Sequence, residues 1–133
     1  MSCKSALYAV MQTPTAVAVD GVIPLGSLIR RYGCDVTLNG NAVNITGAGY
    51  YDVDASVTVA LAAAGTVTAT LFKDGVAVPG ATASASGAAG APVVLAFPAL
   101  VRQACCASGA ALTLVLTGAA ATVNNVAMRV QRI

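Results

Sequence analysis

The stretch TGAGYYDVDASVTVALAAAGTVTATLFKDGVAVPG, Thr46 to Gly80, decides the fold. Tyr51, Val53, Ala55, Val57, Val59 and Leu61 fall on one side of a two-residue period. Tyr50, Asp52, Asp54, Ser56 and Thr58 fall on the other. Successive side chains of a strand point to opposite faces, so this pattern predicts one long half-buried strand. The run from Ala62 to Gly65 turns the chain. Val67, Ala69 and Leu71 then alternate with Thr66, Thr68 and Thr70. Asp74-Gly75 makes a tight turn into a further strand, because both residues tolerate the positive φ of hairpin turns.

The same pattern extends outward in both directions. Ala6 to Gln12 reads as a first short strand, ended by Pro14, and Asp20-Gly21 reads as a tight turn. Leu28 to Tyr32 is open between strand and loop. CDVTLNGNAVNI is the clearest hairpin, with Val36 and Leu38 before Asn39-Gly40 and Val43 and Ile45 after it. Further on, ATASASGAAGAP is expected to begin as an edge strand of Ala and hydroxyl residues and to end as a mobile loop. Pro92 opens VVLAF, Pro98 is expected to stop it, and LVRQACCASGA is expected to bend. Leu112, Leu114 and Leu116 point inward. Val126, Met128 and Val130 share one face of a final strand, with Ala127, Arg129 and Gln131 opposite. The chain has no Glu and no sustained 3.6-residue period, so helix signals are almost absent. About nine or ten short strands separated by turn signals predict an all-β fold, an antiparallel β-sandwich of the jelly-roll kind.

Composition narrows the function. The 133 residues are the size of one domain, so 1–133 is expected to be a single jelly roll. Hydrophobic residues make up 57% and charged residues 9%, against about 25% charged in ordinary soluble domains. Such a chain cannot pave its outside with charge, which points to an oligomer or a packed assembly. The formal net charge is +2, and Arg30-Arg31 is the sole adjacent basic pair, so no nucleic-acid partner is expected. No stretch reaches the roughly 18 apolar residues of a membrane helix, and no signal peptide is visible at MSCKSALYAVMQTPT. No membrane partner is expected, and synthesis in a cytoplasm is. Cys3, Cys34, Cys105 and Cys106 fit no zinc spacing, and the chain has no His. They read as free thiols, with a disulfide on oxidation as the alternative.

The segment NITGAGYYDVDASVTVALAAAGTVTATLFKDGVAVPGATAS resembles the C1q/TNF-like jelly roll. Gly49, Tyr51, Val53 and Ala55 match the family's Gly-x-Tyr alternating strand, and TATLFKDGVAVPGAT matches the strand with its short turn. CDVTLNGNAVNI sits where the family has its preceding hairpin, and ALTLVLTG and NNVAMRVQRI match its last two strands. The resemblance runs from about Cys34 onward and is weaker before it. It implies a homotrimer in which the sheet holding the first and last strands packs around the threefold axis. The chain lacks the Gly-X-Y tract of filament-tip members. It looks more like a small bacteriophage capsid decoration or head-fibre protein, located in the virion with the major capsid protein or other virion proteins as partners. The alternative is a receptor- or glycan-binding tip domain of a phage fibre or bacterial surface filament.

The residue inventory argues against catalysis. Without His or Glu, acid-base work would fall to five aspartates, Lys, Tyr or Cys, and no Ser, Cys or phosphate-binding motif of an enzyme is present. No catalytic residue and no cofactor is expected. Asp20 and Asp74 precede Gly and belong to turns. Asp52 and Asp54, two apart on one face, are weak candidates for a metal; the competing reading is a solvated face or an ion pair across the sheet. For an assembly interface the candidates are Tyr8, Arg30, Arg31, Tyr50, Arg129 and Arg132, since Arg and Tyr suit interfaces. The segment 1–15 is a candidate anchor or strand-exchange arm.

Overall fold

The computed structural model describes residues 5–33, 35–104 and 109–133. All four cysteines lie outside the described residues, and so does the question of their pairing. Among the described residues eleven strands follow one another: β1 (Ala6–Met11), β2 (Thr15–Val17), β3 (Ser27–Tyr32), β4 (Val36–Asn39), β5 (Ala42–Ile45), β6 (Gly49–Leu61), β7 (Gly65–Lys73), β8 (Val76–Gly87), β9 (Pro92–Gln103), β10 (Ala110–Thr117) and β11 (Ala121–Arg132). They form two antiparallel sheets. The first has the order β3-β1-β11-β6-β9, with β2 pairing the start of β11, and the second has the order β4-β5-β10-β7-β8. This is the expected sandwich, with the first and last strands side by side.

The two-residue period sets the core. Tyr51, Val53, Val57 and Val59 of β6 are fully buried, as are Leu112, Leu114 and Leu116 of β10 facing them from the other sheet, with Val126, Met128 and Val130 of β11 beside β6. Full burial of such a side chain stabilises the fold by about 1.5–3 kcal/mol. β6 and β11 pair over almost their whole length, from Leu61 opposite Ala121 to Tyr51 opposite Arg132. The turn expected at Asp20-Gly21 is centred one residue earlier, on Val19 and Asp20, where the Gly21 N–H donates to the Ala18 carbonyl at 3.0 Å and Asp20 takes φ 65°; Asp74 opens the β7–β8 hairpin at φ 51°.

Three local expectations are corrected. Pro98 does not stop its strand; β9 runs on from Pro92 through Pro98 to Gln103. β9 ends the first sheet and pairs with β6 alone, and a residue without an N–H is tolerated on such an edge. Leu100 to Gln103 therefore extend β9 instead of bending. The stretch expected as a mobile loop before Pro92 is a short turn, tied by the Gly90 N–H to the Leu61 carbonyl at 2.7 Å. The open reading at Leu28 to Tyr32 resolves as β3, paired to β1 and exposed along its whole length.

The second sheet covers its outside with neutral groups. Thr66–Ser86, Thr68–Ser84 and Thr70–Thr82 join their hydroxyls across β7 and β8 at 2.8, 2.7 and 3.1 Å. Paired hydroxyls give a solvated face without charge, which is how a chain with so few ionic residues finishes this side.

Candidate assembly interface

The outward face of the first sheet carries most of the expected interface residues. Pairing registers place Arg30, Tyr8, Arg129, Asp54 and Pro98 in one row across five strands. The next row holds Ala6, Gln131, Asp52 and Leu100, and the row on the other side holds Val10, Ala127, Ser56 and Ala96. Large apolar side chains stand out from this face: Tyr8, Tyr50, Val94 and Leu100 are each more than two-fifths exposed. Between them lies a shallow depression lined by Tyr8, Ser56, Ala96, Pro98, Ala127 and Arg129 and floored by small residues.

The centre of the face is ionic. Arg129 Nη2 donates to Asp52 Oδ2 at 3.0 Å and also to Asp54 Oδ2. Asp52 and Asp54 thus make the ion pair across the sheet that competed with a metal site. Among the described residues no group of three or more His, Cys, Asp or Glu converges. Two carboxylates share one guanidinium, and Arg129 Nε is buried with no partner among the described residues. The cluster keeps one net negative charge.

The remaining candidates separate. Tyr50 is half exposed beside Arg102 on β9. Arg30 is exposed and makes no side-chain hydrogen bond or ion pair among the described residues. Arg31 is exposed too, but its Nε donates to the Val36 carbonyl at 2.7 Å, linking the β3 edge to β4 of the other sheet. Arg132 is used within the chain: its Nη1 donates to Asp35 Oδ2 at 2.7 Å and its Nη2 to the Ala48 carbonyl. Residues 6–11 of the candidate N-terminal arm are β1, paired on one side with β11 and on the other with β3.

Around Arg132 lies a clasp that no motif announced. Asp35 is buried and gathers Arg132, the Ser5 hydroxyl at 3.4 Å and, through its backbone N–H, the Ser5 Oγ at 3.1 Å. The Arg132 N–H donates to the Ser5 carbonyl at 2.9 Å, so both ends of the described chain meet one carboxylate. Tyr51 donates its hydroxyl to the Gly47 carbonyl at 2.6 Å. Burial of the Tyr51 phenol, and next the nearby Asp35 charge, push its pKa above the ordinary 10.0, with Arg132 opposing. Gly47 has no room for a side chain, since a Cβ there would sit 2.5 Å from the Asp35 carboxyl carbon.

No protein-family model matches the chain, and no curated protein matches it. Solved structures do. The Eiger TNF of S. frugiperda superposes with a TM-score of 0.71 at 13% identity, covering 100% of this chain and 94% of that one. The globular domain of the zebrafish complement 1qA protein gives 0.67 at 7% identity, covering 96% and 95%. The fold is the C1q/TNF-like jelly roll. The PRD1 vertex protein P5 is also similar, with a TM-score of 0.60 at 11% identity over 100% of this chain and 99% of its own. At such identities the likeness is one of fold.

Proposed function

We propose that the chain is a structural virion protein, a homotrimeric jelly roll that decorates or stabilises a phage capsid and has no catalytic role. The observation that carries this reading is the outward face of the β3-β1-β11-β6-β9 sheet. Tyr8, Tyr50, Val94 and Leu100 project from it around a small-residue depression. Exposed apolar surface on a chain with 9% charged residues favours burial against a partner. The C1q/TNF-like fold supports a symmetric copy of the same chain as that partner, with this sheet around the axis. The likeness to a vertex protein supports a place in a shell. The second sheet, with its hydroxyl ladder, is then left facing solvent or the particle surroundings.

The role is mechanical. A trimer presents three copies of each loop and edge at once, so weak individual contacts to neighbouring capsid subunits add through multivalency. Purified phage particles containing this chain test the reading. Quantitative mass spectrometry of gradient-purified virions is expected to find the chain in a stoichiometric multiple of three per attachment site. Its loss is expected to lower the temperature at which the shell releases DNA. A chain absent from purified particles and abundant in the free fraction of the lysate would overturn the virion role. Tight, saturable binding to a host glycan by free trimers, with no effect of deletion on shell stability, would favour the fibre-tip reading instead.

A further inference from the structure

The face proposed as the trimer interface is charged in an uneven way. Its centre holds Asp52 and Asp54 on one guanidinium, leaving one negative charge that no further ion pair among the described residues balances. In water that excess is tolerable; pressed against another copy it would lose its hydration and require a positive partner. The described cations are mostly committed elsewhere. Arg132 serves Asp35, Lys73 Nζ donates to the Arg102 carbonyl at 2.7 Å, and Arg31 serves the Val36 carbonyl. Among the described residues, Arg30 and Arg102 keep their guanidinium groups unpaired.

Position distinguishes these two. Arg102 stands opposite Tyr50 on β9, a diagonal neighbour of Asp52 in the same chain. Arg30 stands opposite Tyr8, in the same row as Arg129 and Asp54 but three strands away from Asp54. Three strand spacings are about 14 Å, too far for a pair within one chain. The face is therefore positive at both ends, through Arg30 on β3 and Arg102 on β9, and negative at its centre; Arg30 is the cation that cannot reach the cluster of its own chain, which suits it to a second copy set down in a head-to-tail arrangement.

We propose that Arg30 of one copy seats against the Asp52–Arg129–Asp54 cluster of the next, one such ion pair closing each interface of the trimer. This rests on the trimer reading and adds the contact that fixes its register. The test is a charge swap on the full chain, read by analytical ultracentrifugation over a dilution series. Arg30→Asp and Asp54→Arg are each expected to raise the trimer dissociation constant by about tenfold or more, and the double variant R30D/D54R to recover most of the loss. Both positions are exposed, and circular dichroism of each variant separates loss of assembly from loss of fold. A wild-type trimer that R30D leaves as tight as before would overturn the ion pair while leaving the trimer in place. So would weakening by Arg102→Asp with none by R30D, or additive losses in the double variant. A wild-type chain that stays monomeric at every concentration would overturn the trimer itself and the pair with it.

Discussion

Replacing Asp35 by Ala removes the acceptor for Arg132 Nη1 and for the Ser5 hydroxyl, while leaving the Arg132 side chain only 18% exposed. Losing one partner of a fully buried ion pair costs about 3–5 kcal/mol, because the other charge stays desolvated. Here both side chains keep some contact with water, 18% for Arg132 and 11% for Asp35, which lowers the cost. About 2–3 kcal/mol is the expected loss. Unfolding entropy of about 2.1 cal/mol/K per residue over 133 residues turns that into a Tm lower by about 7–11 °C. The assay is thermal and urea unfolding of wild type, D35A, R132A and D35A/R132A at one matched protein concentration, since an oligomer's stability depends on concentration. The double variant is expected to lose less than the two single losses added together, because it removes both charges of the pair at once. A D35A loss below about 0.5 kcal/mol, or strict additivity, would refute the clasp as an energetic element.

Four further outcomes follow from the same structure. Gly47→Ala places a Cβ inside the Asp35 carboxyl, which Ser5 and Arg132 hold in place, so a loss of about 1–3 kcal/mol in urea unfolding is expected. Leu114→Ala opens a cavity in the centre of the sandwich, where Leu114 is fully buried, and is expected to cost about 2–5 kcal/mol by the same measurement. The raised pKa of Tyr51 means that the folded chain holds this proton more tightly than the unfolded one. Its stabilisation is present below pH 10.0 and is lost as pH rises through the higher folded value, and Tyr51→Phe is expected to flatten that part of a stability-against-pH curve. EDTA is expected to leave the melting curve unchanged, because Arg129 already occupies the Asp52 and Asp54 carboxylates, and a chelator-dependent drop would restore the metal reading.

What was legible in the sequence followed the two-residue period. The faces of β6, β10 and β11 and the Asp74-Gly75 turn stand as read, because side-chain alternation and turn chemistry are local; the β4–β5 hairpin is also present, but Asn39 pairs with Ala42, so its turn is Gly40-Asn41, one residue later than the Asn39-Gly40 signal. Pro98 concealed the second half of β9. Whether a proline ends a strand depends on whether its missing N–H would face a neighbour, and that depends on sheet order, which is not local. Missing that half also hid Leu100 as part of the outward face. Tyr50 and Arg129 were placed on that face by alternation alone, while Tyr8 was a candidate by residue type and joins them through its pairing with Arg129. Arg132, one register step beyond the same reading, turns to Asp35, almost a hundred residues earlier in the chain. An isolated Asp before a hairpin carries no signal of such a partner. The Asp52–Arg129–Asp54 cluster was half visible: the two carboxylates share a face by spacing, but their cation comes from the last strand through pairing register.

The most direct measurement of the central claim is the native mass of the purified chain in solution, by light scattering or native mass spectrometry across a dilution series. Three copies of a 13.0 kDa chain predict a species of about 39 kDa that dissociates only at low concentration. A single 13.0 kDa species at every concentration would contradict the account, because the apolar outward face of the first sheet would then have no copy to cover it.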